Sequence, residues 1–350
     1  MTVMSSLDSA PRVLIRQTGR GFVLQSERNT MVSGFLKGKP VVFAQTLLTS
    51  LMGLCPVAHR EAFEAAVLGR SLSYASHRLA VEAMLESVRV FCVDWQRFVP
   101  DVTIREETLW DLGQLRQRLF DVLSTRSEKA SEQLLVDTQR FVRDFQITYA
   151  GLLDALLKAV KNFSDLKPLE PSVPLSPSQY REKANLQRLH EALLLNDSFA
   201  VSPEMDGHRL LGPLARRNEL LPKDNLTVVS MVLVRWQELT DWSRSDRSFL
   251  GTFEPMVASL VDGWKVAVVE TIRGTLMHAV KVKGNVLEDF HFIAPTEWVF
   301  QPEGVLIDKV NEFAAYTRLQ GPALARAVEL LVALFDACTD VQVISGEAHA

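Results

Sequence analysis

Cysteine is scarce in this chain: three in 350 residues, at Cys55, Cys92 and Cys338. Three thiols cannot build a disulfide framework, and they cannot alone make a four-cysteine zinc site. A reduced, cytoplasmic protein is the expectation. A charge excess is missing too. Lys and Arg number 38 against 42 Asp and Glu, a formal net charge of −4, so the balance points to neither nucleic acid nor an acidic membrane surface. The longest apolar runs fall far short of a membrane span. No basic segment followed by an apolar one opens the sequence, and no signal peptide is expected. What is present is ordinary globular composition, 47% hydrophobic and 23% charged. The length suffices for one large domain or two ordinary ones.

Residues 13–24 hold short apolar runs broken by Gly19 and Gly21, a candidate strand pair. Gly34, Gly38 and Pro40 then punctuate a loop. Helical patterns follow at 56–68, opened by Pro56 at the first helical position, and at 78–93, 109–123 and 131–162. Pro168, Pro171, Pro174 and Pro177 exclude a helix interior at 165–178. That stretch is expected as a surface loop within a single domain spanning 1–350. Further helices are read at 180–194 and 225–242, and residues 253–269 read as helical and then extended. From 275 to 294 apolar and β-branched residues dominate, and Gly284-Asn285 fits a two-residue hairpin turn. That turn pairs Lys283 with Val286, and counting outward puts His278 opposite His291. Pro322 opens a last helix with the stripe Leu324, Val328, Leu331 and Phe335. The expected fold class is α+β, predominantly helical, with a small antiparallel sheet.

In Cys55-Pro56-Val57-Ala58-His59, a helix starting at Pro56 makes Cys55 its N-cap. The helix dipole and free N–H groups there favour a thiolate, and His59 lies one turn on. Such a pair can hold a soft metal or act as a nucleophile with its base. A buried cysteine beside a capping histidine is the plainer alternative. Cys92 sits in the apolar run Val90-Phe91-Cys92-Val93 and is expected in the core. Two imidazoles, His278 and His291, are too few to define a metal site. Arg273, in Glu270-Thr271-Ile272-Arg273-Gly274, can present five donors into a cleft, with the glycine allowing close backbone approach.

Together these segments resemble the large subunit of [NiFe] hydrogenases. The family's N-terminal motif R-x-C-G-x-C-x-x-x-H is matched by Ser50 to His59, and its C-terminal motif D-P-C-x-x-C-x-x-H by Asp336 to Ile344. Glu270-Thr271-Ile272-Arg273-Gly274-Thr275-Leu276-Met277-His278 is similar to E-A-P-R-G-x-L-x-H. Ala294-Pro295-Thr296-Glu297-Trp298 is similar to A-P-T-x-W, and Gly212-Pro213-Leu214-Ala215-Arg216 matches a further family segment. The order along the chain is the family's order, although the stretch 95–200 is covered poorly.

The departures narrow what the resemblance implies. Working enzymes of this family hold nickel with four cysteines. Here Met52 and Val341 stand at two of those positions, leaving Cys55 at a bridging position and Cys338 at a terminal one. Two thiolates cannot make the four-sulfur site, which argues against nickel and against an enzyme. Ile344 replaces the histidine after which the enzyme precursor is trimmed, and the chain is shorter than such subunits. This pattern resembles the HupK/HoxV-type hydrogenase accessory proteins. The resemblance implies a maturation factor, a transient scaffold on which Cys55 and Cys338 hold an Fe(CN)2CO unit. Arg273 would donate to a cyanide, Pro295 and Thr296 would line the other ligand, and His59 would hydrogen-bond near Cys55. The implied partners are the hydrogenase maturation proteins and the hydrogenase large-subunit precursor. The alternative is a metal-free large-subunit mimic acting as chaperone or decoy.

Overall fold

Along the chain a strand pair is followed by a long run of helices, a run of four strands, two more helices and a last strand. The structure, a computed structural model, describes residues 13–26, 31–170, 173–217, 226–244, 246–336 and 341–344. The N-terminal third runs β1 (Val13–Thr18), β2 (Gly21–Ser26), α1 (Met31–Leu36), α2 (Val41–Leu51), α3 (Pro56–Leu68) and α4 (Ala75–Arg89). The middle is helical: α5 (Glu106–Thr125), α6 (Glu128–Thr148), α7 (Ala150–Ala159), α8 (Pro177–Arg181), α9 (Lys183–Leu195), α10 (Pro213–Arg217) and α11 (Ser230–Trp242). Then come β3 (Met256–Ser259), β4 (Trp264–Thr271), β5 (Gly274–Lys283), β6 (Val286–Ile293), α12 (Val305–Tyr316), α13 (Gly321–Leu334) and β7 (Val341–Ile344). Among the described residues no helix is long and apolar enough to cross a membrane.

The expected class, a mostly helical α+β fold with small sheets, is the one observed. One sheet has the order β3-β4-β5-β6, all antiparallel. The other has the order β2-β1-β7, with β7 parallel to β1 so that Val341 pairs with Val13. Helix α4 is the axis of the helical body. Thirteen of its residues are buried, from Ala75 to Val88. A helix covered on all sides must be central, and α4 touches α3, α5, α6 and α11. It continues as a π-helix at Val90–Trp95, where Phe91 meets Trp95 and Trp236 edge-on, 4.9 and 5.2 Å between ring centres.

Several expectations change. The loop read at 34–40 holds the end of α1 and leads into α2, an uncharged helix whose pattern is too uniformly apolar to show a stripe. The helix read at 131–162 breaks at Tyr149, whose hydroxyl accepts from the Arg105 amide at 2.9 Å. Residues 253–269 are not helical first: Pro255 blocks a helix interior, and β3 pairs with β4 instead. The hairpin turn falls as read, with Lys283 opposite Val286, but a bulge at Lys281/Val282 shifts the register. His278 therefore faces Phe292, and His291 faces Ala279. The proline-punctuated stretch is anchored on its inner side. Leu166, Leu169 and Leu175 are buried, and the Leu169 and Leu175 amides donate to the carbonyls of Leu226 and Leu210.

The β4–β5 turn is pressed against the segment leading into α10. A Cβ added at Gly274 (φ +127°) would lie 2.5 Å from Leu211 Cβ and 2.7 Å from the Gly212 nitrogen. One at Gly212 would lie 2.8 Å from the Arg273 carbonyl oxygen. Arg216 locks this contact with its whole guanidinium. It donates to Glu238 at 2.6 and 2.8 Å, to Glu270 at 2.6 Å, and to the carbonyls of Thr271 and Ile272 at 2.8 and 2.9 Å. Gly274→Ala is expected to cost about 2–4 kcal/mol, from the clash and the left-handed backbone together. A urea unfolding curve of the variant against wild type measures it.

Candidate functional site

Cys55 closes the loop before α3 and caps that helix, with Pro56 as the first helical residue. Its backbone is left-handed, φ +56°, a conformation that non-glycine residues rarely keep without surrounding support. The cap differs from expectation in one respect. The amides of Val57 and Ala58 donate to the carboxylate of Glu82 on α4, at 2.8 and 2.9 Å. The helix N-terminus is thus satisfied by Glu82, and the Cys55 side chain makes no capping bond. Burial pushes the Glu82 carboxyl up to about 8, against the pull of the two amides.

What the Cys55 thiol meets is Arg273. Arg273 Nη1 donates to Cys55 Sγ at 3.2 Å, both groups being buried. The same guanidinium reaches Asp336: Nε donates to the Asp336 carbonyl at 3.2 Å and to Oδ1 at 3.1 Å, and Nη2 lies 3.0 Å from Oδ1. The other carboxylate oxygen, Oδ2, accepts from Arg235 Nη1 of α11 at 2.8 Å. Arg235 in turn lies over the Trp95 ring, 5.4 Å from its centre. Burial works to raise the Asp336 carboxyl, but Arg273, Arg235 and Arg89 outweigh it and hold it below the usual carboxylate range. Asp336, like Cys55, sits in the left-handed region, φ +52°. Glu86 of α4 completes the cluster, 3.8 Å from Arg273 and within 3.1 Å of both Arg89 and Arg116.

Beside the two arginines lies a small cavity, about 20 Å³ of space open to the centre of a water molecule. That is room for little more than one water. Arg273, Arg235, Pro295, Thr296 and Phe335 share its wall with apolar side chains from α10, α11 and α13. Four of the expected site residues are therefore grouped: Cys55 through Arg273, and Arg273 with Pro295 and Thr296. Cys338 lies outside the described residues; Asp336, two positions before it, is in place. Among the described residues no group of three or more His, Cys, Asp or Glu side chains is arranged to hold a metal.

His59 departs from expectation. Its Nδ1 lies 3.0 Å from His278 Nε2, so its hydrogen bond goes to β5 and not to Cys55. Phe292 and Phe290 pack against the pair. The side chain at i+4 from the cap faces the sheet, because α3 packs on β4 and β5. Burial holds His59 down at about 4 and His278 well below its ordinary value. Cys92 is in the core as expected, and burial pushes its thiol up to about 12. His291 is half-buried, 3.7 Å from Asp289 and packed near Trp264.

Sequence reasoning missed Arg235, Glu82 and Glu86 and gave Asp336 at most a supporting place. One signal could have found them. Each is a charge inside an apolar helical stretch, Arg235 in Met231-Val232-Leu233-Val234-Arg235-Trp236 and Glu82 and Glu86 one turn apart among Leu79 to Val88. A charge at a core position needs a partner at another core position.

The fold is that of the [NiFe] hydrogenase large subunit. The NAD+-reducing [NiFe]-hydrogenase in its H2-reduced state superposes with a TM-score of 0.62, covering 91% of this chain and 92% of that one at 15% identity. The Ni-Fe-Se hydrogenase of Desulfovibrio vulgaris Hildenborough gives 0.60 over 92% and 94% at 14% identity. No family model matches the chain. In sequence it is similar to the hydrogenase expression/formation protein HoxV of Cupriavidus necator, 23% identical over 362 residues, 93% of each protein.

Two outcomes are expected. Arg235→Met strands one side of the buried Asp336 carboxylate and should cost about 3–5 kcal/mol, with Arg235→Lys recovering part of it; urea unfolding reads both. The second concerns pH. The folded values of His59 and His278 lie below the unfolded value near 6.5, so the unfolded chain binds more protons below that pH. Stability contributed by the neutral pair is present above about 6.5 and is lost as pH falls toward 4. The double variant His59→Phe with His278→Leu should lose less stability than wild type between pH 7 and 4.5.

Proposed function

We propose that this chain is a hydrogenase maturation factor, not an enzyme, and that it carries an Fe(CN)2CO unit transiently on Cys55 and Cys338. One observation carries the reading: Arg273 bonds at once to the Cys55 thiol and to Asp336, the residue two before Cys338. A single guanidinium thus ties the two half-kept cysteine motifs. Thiolates suit a soft, low-spin iron. Two of them in place of four make a hold that can be undone, as a handover requires. Arg273 would turn a donor to a cyanide nitrogen, and Pro295 and Thr296 would face the remaining ligand. The iron unit is cargo, supplied by hydrogenase maturation proteins and passed to the large-subunit precursor, and the exchange takes place in the cytoplasm. The similarity to HoxV, named a hydrogenase expression/formation protein, supports the maturation role.

The metal-free mimic is favoured by one observation, the small size of the cavity beside Arg273. On that reading the chain offers partners the large-subunit shape, and both thiols serve packing. Infrared spectra of protein purified without oxygen separate the two. Cyanide and carbonyl bands in wild type that vanish in Cys55→Ala are the expected result. A wild type without bands would leave the mimic, and bands that survive Cys55→Ala combined with Cys338→Ala would overturn the assignment of the cargo to these two thiols.

A further inference from the structure

Helix α2 has no charged residue in eleven. Ala44 and Leu48 are buried, while Val42 is 66% and Phe43 45% exposed on the other side. The hydroxyls on that outer side do not make it polar. Thr46 and Ser50 donate to the carbonyls of Val42 and Thr46 in their own helix, both at 3.1 Å. Phe35, 55% exposed, stands beside Phe43 with ring centres 6.5 Å apart. The tip of the β5–β6 hairpin is tied to the base of α2, since the Val41 amide donates to the Asn285 carbonyl and the Leu287 amide to that of Lys39. This sets exposed Val286 at the same end. The result is a group of exposed apolar side chains at one end of α2, of a kind that marks protein interaction sites.

Its rim is basic. The Lys39 ammonium lies 5.6 Å from the Phe35 ring centre, and Lys283 is exposed on the hairpin tip. Lys37, the third lysine, is paired with Asp289 at 2.9 Å. Among the described residues neither Lys39 nor Lys283 has a carboxylate partner. A second copy of this chain would bring like charges together. Two unpaired lysines are also too few for a lipid anchor, which needs a strongly basic face. Charge and shape fit a protein that presents apolar side chains ringed by carboxylates. The place fits an exchange partner, since Met52, the C-cap of α2, stands three residues before Cys55.

We infer that the outer face of α2, with Phe35, Val286, Lys39 and Lys283, docks the maturation protein that supplies the cargo, through an acidic-rimmed apolar surface on that protein. The identity of this partner rests on the function proposed above. The test is biolayer interferometry of the full chain against the purified iron-donating maturation complex. Lys39→Glu with Lys283→Glu should weaken binding at least about tenfold and reverse its salt dependence. Val42→Asp with Phe43→Asp should abolish it, with circular dichroism confirming an unchanged fold. If wild type binds and these variants bind equally well, the docking face is wrong and the maturation role stands. If wild type does not bind the complex at all, the functional reading and this inference fall together. Binding to phosphatidylglycerol vesicles, or dimers in sedimentation that Phe43→Asp dissolves, overturns the inference in favour of a membrane or a second copy.

Discussion

The guanidinium of Arg273 is the constraint on which the site depends. It is buried, and a buried cation must be paired or it destabilises the fold by several kcal/mol. Its position is fixed from behind. Gly274 and Gly212 bring two backbones into contact that no Cβ would allow, and Arg216 binds the two segments together with its full set of donors. With Arg273 so placed, Glu86 stands 3.8 Å away, and the acid that bonds the guanidinium directly is Asp336. Arg235 then holds the other oxygen of the same carboxylate. Buried ion pairs add little net stability over well-packed apolar groups, since desolvation offsets most of the attraction. What this one contributes is register: residues 55, 273 and 336, far apart in sequence, are held to a single geometry.

The same accounting explains α4. An entirely buried helix would be expected to carry apolar residues alone, yet Arg78, Glu82 and Glu86 are on it. Each is spent on a different neighbour. Arg78 binds Glu61 of α3 at 2.8 Å, Glu82 closes the N-terminus of α3, and Glu86 is shared among Arg89, Arg116 and Arg273. Two of the three thus act on α3, the helix that Cys55 caps. The orientation of α3 follows from Arg78 and Glu82 of α4 on one side and from the His59–His278 contact with the sheet on the other. The left-handed backbone at Cys55 is supported by this bracing.

How much of this was legible beforehand depended on whether a local rule or a distant partner decided the outcome. Pro56 at the first helical position, the two-residue turn at Gly284-Asn285 and the stripe of α13 obey local chemistry, and they fall where the residues put them. Arg273 was readable as a cleft donor because a glycine follows it. The bulge at Lys281/Val282 was not readable. It arises where the hairpin meets the base of α2, and a one-residue shift was enough to put His291 on the opposite face of the sheet from His278, which contacts His59. Arg235 and Glu86 were legible only as misplaced charges, not as members of this site, for a related reason. Their partners lie on other elements, so pattern reading sees only charges out of place in apolar helices.

The two positions where the family pattern has cysteine and this chain does not also have an account in the fold. Met52 caps the C-terminus of α2 and is half-buried against the apolar cluster that includes Phe63 and Phe290. Val341 opens β7 and pairs with Val13. Both side chains strengthen apolar contacts where a thiol would contribute less. The guanidinium that touches Cys55, by contrast, keeps its buried pairing with Asp336 and its place beside Pro295 and Thr296. At the two positions where the family pattern has thiols the chain thus has side chains that packing holds, while Arg273 and Arg235 supply buried donors that no apolar residue could replace. A wall of oriented donors recognises the outer atoms of a bound group, whereas thiolates hold its metal. On the proposed function, a site built this way favours recognising the iron unit by its ligands over gripping it by its iron, and a weak grip on the iron is what lets the unit leave.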